Sequence, residues 1–218
     1  YRRRKPHCSG TLIWQFNDCW PVLSWSLFDY YGFGKASYYY MRRTFSPVLA
    51  SFKNGDDQPL ELWLTNDSLE HITDIAIIRL RTFSGDTIEE RQISLDVKPN
   101  SSKCVASLAD IKSDIDRYLS VHSENGLFYK NRHFFGMVKD LDRSRVPVEF
   151  DVKAVSEHEL QVDLTTEQFA YFVHLNVPLQ YTYISDNYFD LEAGETKQIH
   201  IVNKVHTLSA EHVSINSR

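Results

Sequence analysis

The sequence predicts a mainly β protein, two consecutive antiparallel β-sandwiches preceded by one βα unit, and three observations carry that reading. From residue 46 onward, short runs of alternating apolar and polar residues recur roughly every ten residues, the rhythm of strands with one buried face. Turn signals such as "KNGDDQP", "NDSLEH", "FSGD" and "EAGET" separate those runs. Ahead of them lies a single near-continuous apolar run, "TLIWQF", followed by a Pro-containing loop and a stretch of helical character.

Taken in order, residues 1–45 open on the basic cluster "RRRK" (Arg2 to Lys5), expected to be a solvated surface turn or helix end rather than a polyanion site. "TLIWQF" suits a strand buried on both faces, as in a parallel sheet or barrel. "GFGKASYYYMRRTF" reads as a helix of about three turns with Arg42 and Arg43 near its C-terminus. One βα unit cannot close a barrel. Residues 1–45 are therefore expected to rest on the following sandwich, the helix packing there through Tyr38, Tyr39 or Met41, or to be partly disordered.

Residues 46–145 form the first expected sandwich. "PVLASF", "LELWLTND", "TDIAIIRLRTF" and "TIEERQISLDV" read as strands, "SLADIKSDIDRY" as one amphipathic interruption, and "YLSVHSENGLFYKNRHFFG" as a return to strands turning at "ENG". The polar stretch "KDLDRSRVP" reads as a linker. Residues 146–218 form the second sandwich, from "VEFDVKAV", "ELQVDLT", "AYFVHLNV", "YTYISDNYFDL" and "KQIHIVN".

Composition bounds the chemistry. The chain has 218 residues, 42% hydrophobic, 13% aromatic and 24% charged, with net charge −5. That is ordinary for a globular protein with a real core, and offers no global field for nucleic acid or an anionic membrane. No apolar run approaches the roughly 18 residues of a membrane span. The first residue is not Met, which suggests a chain processed or cut from something longer. Three widely spaced cysteines (Cys8, Cys19, Cys104) show no CxxC pattern, and the nine histidines no metal-ligand spacing. Free buried thiols, no metal and no cofactor are expected. The thiols lean towards a reducing cytoplasm, and short loops with sparse cysteines fit a bacterial source.

The chemistry-bearing residues concentrate in "GTLIWQFNDCWPVLSWS", residues 10–26, which hold three of the four tryptophans. A Trp at the end of a strand can stack on the apolar face of a sugar while Asn and Asp bond its hydroxyls. Trp14, Asn17, Asp18 and Trp20 are the candidates, and composition leaves a second reading open: core tryptophans beside a capping Asn-Asp pair. Of the paired acids, Glu89 and Glu90 point to opposite faces of a strand and cannot share a site, and Asp56 and Asp57 sit in a turn. Asp186, Asn187 and Asp190 in "SDNYFDLEAGE" fall short of a calcium loop. They read as a bulge bonding its own backbone, with Tyr188 and Phe189 packing the sandwich. No catalytic residue is assigned.

The stretch "GTLIWQFNDCWPVLSWSLFDYYGFGKASYYYMRRTF" resembles the end of the catalytic barrel in glycoside hydrolase family 2, in its β-mannosidase branch, where a "GxLxWQxNDxWPxxSWSxxDyxGxxKxxxYxxxR" pattern occurs. "YISDNYFDLEAGETKQI" is similar to the terminal immunoglobulin-like domain of those enzymes, with Ala193 where Pro is usual. The resemblance implies the last βα unit of a (β/α)8 barrel over 1–45, then immunoglobulin-like β-sandwiches over 46–145 and 146–218. It also implies a parent that is a retaining exo-β-mannosidase acting on a β-mannoside glycan, whose two catalytic glutamates lie on earlier barrel strands. By carry-over Trp14 lines the sugar subsite, with Asn17, Asp18 and Trp20 beside it. The partners implied are that glycan and the rest of the parent chain, with no nucleic acid and no membrane; the fragment alone would be inert. An exo-β-glucosaminidase fragment, or a non-catalytic carbohydrate-binding or scaffold module, are the alternatives.

Overall fold

The computed structural model describes residues 1–55 and 58–218, so the Asp56–Asp57 pair lies outside the described residues. The chain is mainly β and divides into two compact units that do not follow sequence order. One comprises Tyr1–Leu12 with Arg43–Asp142, the other Ile13–Arg42 with Arg143–Arg218. The helix α1 (Ala36–Thr44) crosses the boundary near its end.

In the first unit the strands are β1 (Val48–Gly55), β2 (Gln58–Asn66), β3 (Ile72–Thr82), β4 (Thr87–Val97), β5 (Ser101–Ser107), β6 (Arg117–Ser123) and β7 (Asn131–Phe134). They form two antiparallel sheets, β1-β2-β5 and β4-β3-β6-β7. Alternation places Leu62 and Leu64 of β2, Ala76, Ile78 and Leu80 of β3, and Leu119 and Val121 of β6 in one buried cluster. Each aliphatic side chain buried in this way contributes about 1.5–3 kcal/mol. The outward positions carry paired charges: Arg79 of β3 meets Glu90 directly across on β4 at 2.7 Å, while Glu89 pairs with Arg91. The two glutamates thus serve different arginines, as strand alternation requires. Asn66, fully buried, donates to the carbonyls of Glu70 and Lys98 and accepts from the Ser68 amide, which pins the turn after β2.

β5 arises from "SSKCVAS", whose small and polar residues give no clear alternation, and the amphipathic stretch after it forms turns rather than a helix. The basic cluster forms a surface turn as expected, with Arg4 exposed, but Arg2, Arg3 and Lys5 are paired rather than free in solvent. Arg2 donates to the carbonyls of Thr44 and Pro47 and pairs with Asp67 at 2.9 Å. Arg3 donates to the Phe52 carbonyl at 2.8 Å, and Lys5 to Asn100 Oδ1 at 2.6 Å and to Asp67. The cations find backbone carbonyls at strand and helix ends, stronger partners than water for a guanidinium held at short range.

In the second unit the strands are β8 (Glu149–Ser156), β9 (Glu159–Thr165), β10 (Ala170–Asn176), β11 (Thr182–Ile184), β12 (Phe189–Leu191), β13 (Thr196–Asn203) and β14 (Ser214–Asn216). The sheets are β11-β13-β9-β8 and β12-β10-β14. Leu160, Val162 and Leu164 of β9, with Ile199 and Ile201 of β13, form the centre of the core against Val173 and Leu175 of β10. "YTYISDNYFDL" is not one strand but two short ones in different sheets. β14 is three residues long, too short to register as a pattern.

Two local devices shape β10. Between Ala170 and Val173 it carries one residue more than β12 opposite, and Phe172 takes the left-handed conformation (φ 55°), its amide bonded to Asp190 Oδ1 at 2.9 Å. Further along, where β12 has ended, the Asn187 side chain acts as a peptide group: Oδ1 accepts from the Leu175 amide and Nδ2 donates to its carbonyl, both at 2.8 Å. A side-chain amide therefore extends the ladder past the end of the strand. Tyr188, also left-handed (φ 52°), follows directly.

Two expectations are corrected here. "TLIWQF" forms no strand: Leu12 is fully exposed and Trp14 79% exposed, and pairing nearby is limited to isolated bridges, Asn17 with Phe28 and Phe28 with Gly34. A doubly buried strand needs strands on both edges to take its amides and carbonyls; here only the Gln15 and Phe16 carbonyls are taken, by the amides of Leu27 and Phe28, and among the described residues no strand flanks the run. The helix does not use the first sandwich as expected. Tyr39 lies against Tyr188 (5.8 Å between ring centroids) and Tyr40 against Phe172 (6.3 Å), both in the second unit. The left-handed backbone at Phe172 and Tyr188 presents those rings as the helix's apolar partner.

Candidate functional site

Residues 13–42 are built around one carboxylate. Asp18 is 3% exposed. Its Oδ1 accepts from Ser24 Oγ (2.5 Å) and Gln15 Nε2 (3.4 Å), and its Oδ2 from Lys35 Nζ (3.0 Å). Ser26 Oγ lies 2.8 Å from Oδ2 and 2.7 Å from the Phe28 carbonyl, with one proton to give to either, and itself accepts from Lys35 Nζ. The bond from Ser24, followed by those from Lys35 and Ser26, outweighs burial and holds the carboxyl down at about 2. Asp18 is thus a fixed anion that ties residues 15, 24, 26 and 35 into one loop structure.

A line of rings connects this loop to the second sandwich. Phe16 meets Phe28 (5.2 Å), Phe28 meets Tyr38 (4.4 Å), Tyr38 meets Tyr39 (5.0 Å), and Tyr39 meets Tyr188, which stacks on His174 at 5.2 Å and 6°. Such pairs contribute about 0.5–1.5 kcal/mol each beyond their buried area. Gly34 is required where the loop meets the helix, since a Cβ there would stand 3.0 Å from Tyr38 and 3.2 Å from Tyr39.

Of the four candidate residues, three stand at the surface and one does not. Trp14 (79% exposed) and Trp20 (63%) face solvent, as does Trp25, so the reading of these tryptophans as core residues fails. Asn17 is exposed and donates to the Asp18 carbonyl at 3.2 Å. Asp18 faces inward to the serines and Lys35. What the arrangement offers a ligand is exposed indole beside an amide, carried on a rigid, charge-neutralised loop. Ser24, Ser26 and Lys35 were not singled out in the sequence, although two serines six and eight residues after a buried Asp are a usable signal.

The remaining acids have structural partners. Asp186 pairs with Lys197 at 2.9 Å and accepts the Asn187 amide, and Asp190 holds Phe172. Among the described residues no cluster of three His, Cys, Asp or Glu side chains is arranged to hold a metal ion.

This fold and site define a class: paired immunoglobulin-like sandwiches of the type attached to glycosidases. Residues 58–140 match the mannosidase Ig/CBM-like domain, and residues 146–216 match an Ig-fold domain of mannosidases. Together the two mannosidase domain models match most of the chain, and the findings support a C-terminal fragment of a glycoside hydrolase of the β-mannosidase type. Over 113 residues it is 34% identical to β-mannosidase B of Aspergillus niger, covering 44% of this chain and 13% of that protein. To β-mannosidase B of Thermothelomyces thermophilus it is 36% identical over 84 residues, 32% of this chain and 10% of that one. The solved β-D-mannosidase of Dictyoglomus thermophilum superposes with TM-score 0.82 at 26% identity, over 99% of this chain and 27% of that chain. The exo-chitosanase of Amycolatopsis orientalis shares the fold (TM-score 0.62, 14% identity, 94% of this chain and 29% of that one). The chain thus spans 10–13% of the length of these curated relatives.

Proposed function

We propose that this chain is the C-terminal part of a retaining exo-β-mannosidase that hydrolyses terminal β-linked mannose. One observation carries the reading: the superposition on a β-D-mannosidase extends over 99% of this chain, the Trp-rich loop included, while occupying 27% of that enzyme. The higher TM-score and identity to the mannosidase than to the exo-chitosanase favour mannose over glucosamine. In this reading residues 1–45 supply the last βα unit of the barrel, and Trp14, Asn17 and Trp20 form one wall of the sugar subsite, Asp18 fixing the loop behind them. Retaining hydrolysis uses a general acid and a nucleophile about 5–5.5 Å apart, through a covalent glycosyl-enzyme. Those carboxylates belong to the upstream part of the parent, and the 218-residue chain alone is inactive. Free cysteines and short strand connections favour a reducing, bacterial cytoplasm as its setting.

The test is nitrophenol release from aryl β-mannoside, with aryl β-glucosaminide alongside, by this chain and by the longer protein containing it. The expected result is turnover of the mannoside by the longer protein alone. Turnover by the 218-residue chain would show that carboxylates on it are catalytic and would overturn the proposal. A longer protein that turns over the glucosaminide and not the mannoside would reassign the sugar.

A further inference from the structure

The second unit contains a cleft that is lined by none of the exposed tryptophans. The loop over residues 29–34 and the helix residue Tyr39 form one wall of a cleft of about 360 Å³, and the end of β10, β11 and Tyr188 form the other. Its volume falls within the range of ligand pockets, roughly 300–1,000 Å³.

The polar groups lining it divide into spent and unspent. Asn187 is committed to the Leu175 backbone. Thr182 Oγ1 donates to the Leu179 carbonyl at 2.6 Å and accepts from Asn203. Asp29 Oδ1 accepts from the amides of Tyr31 and Phe33, both at 2.9 Å, which fixes the loop. Asp29 Oδ2, the hydroxyl of Tyr39 and the side-chain amide of Asn176 take no hydrogen bond from the described residues. Tyr39 is 5% exposed, and burial raises its phenol, so it stays a neutral donor and acceptor. Phe33, Pro178 and Tyr188 supply apolar walls.

From this pairing we infer that the cleft binds one ring of a neutral sugar, the hydroxyls donating to Asp29 Oδ2 and exchanging a bond with the Tyr39 hydroxyl, its C–H face against Phe33 and Pro178. A carboxylate as the one charged group of the lining repels anionic ligands, and a single carboxylate is too few ligands for a hard cation. The site stands independently of the proposed β-mannosidase activity, since it uses neither Trp14 nor Trp20.

The experiment is saturation-transfer NMR and calorimetry on the 218-residue chain with methyl β-mannopyranoside, methyl β-glucopyranoside and glucuronate as probes. Saturable binding of the neutral glycosides and none of glucuronate are expected. Tyr39→Phe, which keeps the ring packing, weakens binding about fivefold, the loss of one neutral hydrogen bond. Asp29→Asn keeps the Oδ1 acceptor and weakens it about tenfold, the loss of a charge-assisted bond. Trp14→Ala leaves it unchanged. Absence of saturable binding overturns the inference. So does binding that survives Tyr39→Phe at full strength, or that disappears in Trp14→Ala, which would place the sugar at the exposed indoles. Should Asp29→Asn fail to fold, Tyr39→Phe decides.

Discussion

Removing the Asn187 side chain tests how the second sandwich is held together. Its amide occupies both backbone groups of Leu175, a residue 2% exposed, at a point where β12 no longer supplies a partner. Asn187→Ala leaves one N–H and one C=O buried without bonds, and each such group costs about 1–3 kcal/mol. A loss of about 2–5 kcal/mol follows for this unit. For a unit of this size one kcal/mol moves Tm by about 4–8 °C, so the expected drop exceeds about 10 °C. Scanning calorimetry of the chain should show that transition fall while the transition of the first unit stays in place. Hydrogen exchange adds a local readout: the Leu175 amide should lose its protection in the variant before its neighbours do. Asn187→Asp keeps the acceptor for the Leu175 amide and loses the donor to its carbonyl, and should fall between. A shift of less than about 1 kcal/mol in Asn187→Ala, or unchanged protection at Leu175, would refute the idea that a side chain is completing the ladder.

Four further outcomes follow from the same structure. Gly34→Ala should destabilise the second unit by about 1–3 kcal/mol through overpacking against Tyr38 and Tyr39, seen as a lower urea midpoint. Asp18 sits at about 2 in the folded chain against about 3.9 unfolded. Its stabilisation is therefore complete above about 3.9 and lost as pH falls through about 2, and Asp18→Asn should flatten the dependence of the urea midpoint on pH in that acid window. Asp67→Asn should release the basic segment and speed tryptic cleavage after Arg2 and Arg4, at a cost to stability of about 1 kcal/mol or less, since these pairs are near the surface. In the longer protein, Trp14→Ala should lower kcat/KM for aryl β-mannoside by about ten- to a hundredfold, read beside the melting curve so that a loss of fold is told from a loss of substrate contact.

Strands of more than about five residues with a buried face were legible in the sequence, which covers β1 to β4, β6, β9, β10 and β13, and β8 was read from its alternation although it buries no side chain. β5 and β14 were not legible, the one because Ser, Cys and Ala give no alternation, the other because three residues hold no period. "TLIWQF" read as a strand because periodicity reports what a run would bury, not whether neighbours are present to bury it. The tryptophans were found by composition, but the inward turn of Asp18 depends on Ser24, Ser26 and Lys35 folding back on it, which spacing alone does not fix. The Asp29–Tyr39 cleft was invisible for a plainer reason: its other wall comes from residues more than a hundred positions later in the chain.

The split membership of the two units has a consequence for synthesis. Residues 13–42 leave the ribosome well before the sandwich that receives their rings, which is made after the whole block from Arg43 to Asp142. At roughly 5–20 residues per second, that block alone imposes a wait of about 5–20 s. During it Phe28, Tyr38 and Tyr39 have no sandwich to pack on, while the intervening unit, whose strands are contiguous, can fold. The nascent chain therefore carries an unsheltered aromatic segment upstream of a finished domain, and a ribosome stalled once residue 142 has cleared the exit tunnel should present that segment to holdase chaperones.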